Sequence, residues 1–110
     1  MFAQRARAAA GRLGVDAEGL SRADALTRAW EDGDVVVVQA TLRPGQQVAL
    51  VVELLRRQPA PTVVAVTGHL ETDLRRRLKA LGATLAAHSA MDRVLARALR
   101  VSEGAPRGPG

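Results

Sequence analysis

The chain has 110 residues, no cysteine and a net charge of +5, in which fifteen arginines accompany a single lysine. That length suits one domain with one core; disulfides and thiolate metal sites are excluded, and two histidines are too few to form a zinc site alone. No apolar run approaches the ~20 residues of a membrane span, a cytoplasmic setting is expected, and the arginine excess reads as codon bias as much as a basic binding surface.

Phe2, Ala6, Ala9, Ala10 and Leu13 recur at three- and four-residue steps, which predicts a first helix ending near Gly14, with Arg5, Arg7 and Arg12 toward water. The Arg-rich opening could imitate an organellar transit peptide, but its one-sided apolar stripe favours a docking helix. Residues 15–20 are interrupted by Asp16, Glu18 and Gly19 and can form only a short, solvated strand. Ser21 and Asp24 have capping-box spacing, so a helix should follow with Ala23, Leu26, Ala29 and Trp30 inward, stopping by Gly33.

Val35 to Val38 are four consecutive β-branched residues without a polar alternation, the pattern of a strand buried on both faces, and Val63 to Val66 repeat it. Between them Arg43-Pro44-Gly45 makes a turn. Val48, Val51, Val52 and Leu55 then give a helix that ends before Pro59 and Pro61. This β-α-β crossover requires parallel strands. The rhythm recurs with Leu70, Leu74, Leu78 and Leu81 on a helix, Gly82 as its stop and Ala83 to Ala87 as a short strand. A last helix carries Met91, Val94, Leu95, Ala98 and Leu99 inward, with a capping pattern at Ser89 and Asp92. The expected organisation is one domain over residues 1–101 and a Gly/Pro-rich, disordered tail over 102–110.

The order of these parts, with Asp34 to Pro44, Val63 to Thr67 and Leu81-Gly82-Ala83 as its most telling pieces, resembles response-regulator receiver domains over roughly residues 2–100. The resemblance implies a flavodoxin-like, three-layer α/β/α fold with a parallel sheet in the order 2-1-3-4-5, and a site at the carboxyl ends of the strands. It puts Gln39 where such domains carry the phosphate-accepting aspartate, Thr67 at the strand-four hydroxyl and His88 at the lysine after strand five. Of these only Thr67 matches. An amide is not an anionic oxygen nucleophile, and His88 cannot be a permanent cation. Asp34 cannot substitute, because it lies about 16 Å away along the same strand.

The first strand of the family, with its acidic magnesium-binding pair, has no counterpart. Its absence would leave the valine strand unpaired on one side, at about 1–3 kcal/mol for each buried, unsatisfied backbone group. Three arrangements would relieve this: a start upstream of Met1, which is the preferred expectation, residues 15–20 moving in beside the valines, or a strand donated by a partner.

Read without the family, Gln39 is a hydrogen-bonded residue at a strand end, Thr67 a helix cap, His69 a solvated loop residue, His88 locally hydrogen-bonded and Trp30 a core anchor. Arg75, Arg76, Arg77, Lys79, Arg93, Arg97 and Arg100 place seven cations against Glu71, Asp73 and Asp92 over residues 70–100, so +4 of the net +5 falls there. That is either a solvated, salt-bridged surface or a face for an acidic partner, and the receiver resemblance adds protein or homodimer contacts through the last two helices. The expectation is a non-enzymatic, cofactor-free interaction module of degenerate receiver type. Nucleic-acid binding is the weaker expectation: no helix-turn-helix signature is present, and Phe2 and Trp30 are the only aromatics.

Overall fold

The computed structural model describes residues 2–104, with side chains described over 4–99. In chain order the elements are α1 (Phe2–Arg12), α2 (Arg22–Thr27), β1 (Val35–Gln39), α3 (Pro44–Leu55), β2 (Thr62–Thr67), α4 (Thr72–Leu81), β3 (Thr84–Ala87) and α5 (Met91–Gly104), the last entered through a 3-10 turn at His88–Ala90. The protein is α/β, with a three-stranded parallel sheet in the order β1-β2-β3. Val35 pairs with Thr62 and Gln39 with Val66 across the first pair, and Thr67 pairs with Ala87 across the second.

Helices cover both faces, as parallel strands joined by helical crossovers demand. On one face α2, α3 and α4 pack through Ala25, Val51, Leu54 and Leu78 onto Val36, Val38, Val63 and Ala65. On the other, α1 and α5 bring Ala6, Ala10, Met91, Leu95 and Ala98 to Val35, Val37, Val64 and Val66. The alternation along each valine run sends successive side chains to opposite cores, so an unbroken apolar stretch is what a strand between two helical layers needs.

Local signals behave as their chemistry requires. The Ser21 hydroxyl accepts from the Asp24 N–H at 3.1 Å and caps α2. The turn expected at Arg43-Pro44-Gly45 is instead the entry to α3: Arg43 is the N-cap residue in a left-handed conformation at φ 53°, and Pro44 opens the first turn, where its missing N–H costs nothing. Gly82 closes α4 at φ 103°, a left-handed conformation that a side chain would strain.

Other expectations are corrected. Residues 15–20 form no strand but run irregularly and exposed along the surface. The second helix stops at Thr27 rather than reaching toward Gly33. Its buried residue is Ala25, while Ala23 and Ala29 face solvent. Trp30 follows the helix instead of riding on it, with its indole N–H donating to the Ala25 carbonyl at 3.0 Å and the Arg28 guanidinium over its ring. Leu70 is 82 % exposed, because α4 begins two residues later, after a turn. Leu13 is likewise exposed, beyond the end of α1. Helix α5 runs to Gly104, past the expected boundary at residue 101. The expectations for the Phe2 and Arg100 side chains, and for residues 105–110, lie outside the described residues. No helix among the described residues is long and apolar enough to cross a membrane.

Candidate functional site at the carboxyl edge of the sheet

Parallel strands all end on one edge, so residues far apart in sequence meet there. Gln39 is the last residue of β1, Thr67 the last of β2, and His88 the first after β3. The three sequence-derived positions thus share the carboxyl edge of the sheet, the region in which open α/β folds place their ligands.

The hydrogen bonds at this edge run differently from expectation. Thr67, fully buried, does not cap the helix that follows; its hydroxyl accepts from Nη1 of Arg75 at 2.7 Å, one turn into α4. Arg75 is therefore withdrawn from the cationic surface to which its spacing assigned it. Glu71 is the N-cap residue of α4 but its side chain bonds no helix N–H; its Oε2 accepts instead from the Gly68 N–H at 2.6 Å and from the Thr41 hydroxyl at 3.0 Å. One carboxylate thereby ties the loop after β1 to the loop after β2. Gln39 offers its backbone carbonyl to Nε2 of Gln47 at 2.7 Å, linking the end of β1 to α3.

Chemically, this edge is a polar clasp. Charge-assisted hydrogen bonds of this kind are short and about twice as strong as neutral ones. A phosphoryl group brought between the two loops would meet the Glu71 carboxylate, which repels it. Neither Glu71 nor Arg75 nor Gln47 was singled out for this role by sequence reasoning. The only available signal was Glu71 three residues after Gly68, a capping spacing that is common in itself.

The remaining cations lie in two rows. Arg76, Arg77 and Lys79 are exposed on α4, and Arg93 and Arg97 on α5. These helices occupy opposite layers and flank the edge strand β3. Arg76 reaches Asp73 at 3.6 Å, while Asp92 accepts from Nε of Arg12 on α1 at 2.9 Å.

A second feature lies at the opposite side of the sheet. Beside β1 runs an open groove of about 600 Å³, floored by Val35 to Gln39 and walled on its outer side by residues 15–20. That outer wall meets the second helix region through Glu18, which pairs with Arg28 at 2.5 Å and raises the arginine's pKa above its usual value. The Arg7 guanidinium lies so close to Gly19 that a Cβ there would sit 2.9 Å from its Nη2. No family model, curated protein or solved structure matches the chain.

Proposed function

We propose that the chain is a degenerate, flavodoxin-like receiver scaffold that acts by protein–protein contact and without aspartyl phosphorylation. The observation that carries this reading is the carboxyl edge. Gln39 supplies an amide where the receiver resemblance calls for a nucleophilic carboxylate, and the Glu71 carboxylate lies at the loops after β1 and β2, bonded to Thr41 and Gly68. Contact through the α4-β3-α5 side is supported by the exposed cations that flank the edge strand. Their division into two rows on separate layers favours an acidic protein surface over the continuous groove of a nucleic-acid backbone.

The direct test is incubation with acetyl phosphate and magnesium followed by intact-mass measurement, for which no added phosphoryl group is expected. A stable adduct mapped to the carboxyl end of β1 would overturn the reading. Duplex titration at two salt concentrations should show no steep salt-dependent affinity; a steep loss with salt would instead point to counterion release from a nucleic acid.

A further inference from the structure

β1 is an apolar strand that belongs inside a sheet and yet forms its edge. The Asp34 carbonyl accepts from Thr62 N–H at 2.8 Å and Ala40 N–H donates to the Val66 carbonyl at 2.8 Å, so the peptide groups of even-numbered residues face β2. Alternation then turns the backbone N–H and C=O of Val35 and Val37, and the N–H of Gln39, toward the groove. Such an edge is a ready template for another strand. Natural edges are blunted with charge, proline or bulges, and Val35 to Val38 carry none of these.

The strand edge and its lining select the occupant. A chain that pairs with the outward-facing peptide groups of Val35, Val37 and Gln39 must itself be extended, because a helix uses its backbone donors and acceptors internally. β-branched side chains favour that extended state. Ala6, Ala10 and Leu95 would meet its side chains on one face, and Ala25, Trp30 and Leu50 on the other. The charged residues of the lining balance, with Arg7, Arg22 and Arg28 against Asp16, Glu18 and Asp34, so nothing selects a charged occupant. Residues 105–110, Ala-Pro-Arg-Gly-Pro-Gly, are too rich in proline and glycine to serve.

We propose that this groove is a β-augmentation site that takes one extended, uncharged, β-branched peptide strand from a polypeptide segment outside residues 1–110, hydrogen-bonded along β1 as a fourth strand of the sheet. The claim rests on the sheet edge and stands apart from the receiver reading.

The test uses the full chain and a synthetic peptide with a Val/Ile core of five residues flanked by lysines for solubility. A control peptide carries proline at the centre of that core, which removes a donor and prevents strand pairing. Amide hydrogen exchange is followed residue by residue. The expected result is saturable binding with at least tenfold slower exchange at Val35, Val37 and Gln39 for the Val/Ile peptide alone. Equal protection by the proline peptide, protection at β3 in place of β1, or no protection at all would each overturn the proposal. So would protection of β1 that grows with protein concentration in the absence of peptide, since the occupant would then be a second copy.

Discussion

β1 and β2 are nearly the same strand in composition and quite different strands in the folded protein. Thr62–Thr67 is buried at every position after its first, whereas Val35, Val36 and Val37 are only half-buried and Val38 alone of the four is fully enclosed. The two share a register and are covered by the same two helical layers; they differ in having neighbours on both sides or on one. A strand's burial is thus a property of its place in the sheet as much as of its side chains. The groove beside β1 is the space in which that difference is expressed.

The largest effect expected from this contrast comes from a charge at matched positions. Val64→Lys, on the central strand, should abolish cooperative unfolding, because the ammonium has no route to water from a fully buried site. Val37→Lys should leave a folded protein whose side chain reaches the groove. Circular dichroism melts of the two variants would decide; a Val37→Lys protein as disordered as its partner would mean that the edge is not open. A milder version is truncation. Val64→Ala should cost about 1.5–3 kcal/mol, from two buried methyl groups at about 0.8 kcal/mol each plus the cavity they leave, and Val36→Ala less than half of that, read from urea midpoints at constant slope.

Next comes the clasp at the carboxyl edge. Glu71→Gln weakens the acceptor for the Gly68 N–H and the Thr41 hydroxyl and should cost about 1–2 kcal/mol in the same assay. Because the clasp joins the loops after β1 and β2, exchange should quicken at Thr41 and Gly68 together; quickening at only one of them would break the link between the strands. Gly82→Ala, at φ 103°, should lose about 1–2 kcal/mol without touching either strand, and so calibrates backbone strain against the strand effects. The smallest change is charge reversal at Arg76 and Arg77, within about 0.5 kcal/mol of the parent stability because both are exposed. That variant should nonetheless lose capture of acidic protein partners, and undiminished capture would remove α4 from the contact face.

Much of the fold was legible because its signals are local. The valine runs, Ser21 with Asp24, and Gly82 each act through their own backbone or their nearest turn, and each sits where its chemistry asks. The failures share a cause as well. Leu70 matched the helical period of Leu74 and Leu78 but stands one turn too early, since periodicity fixes a phase and not a starting point. Arg75 looked like its exposed neighbours because only the position of Thr67 on another element makes it point inward. Glu71 gave a capping spacing and no hint of Thr41, thirty residues away.

The sequence by itself determined the strand and helix order, the parallel crossovers and the carboxamide at the end of β1, because β-branched runs, caps and breakers act within a few residues of themselves. The tertiary structure decided that residues 15–20 stand off from the valine strand as a wall and leave it an edge, and that Glu71 and Arg75 bond across the carboxyl end. Those outcomes depend on which elements become neighbours, and neighbourhood is set by how the layers pack around the sheet rather than by the pattern of any one segment.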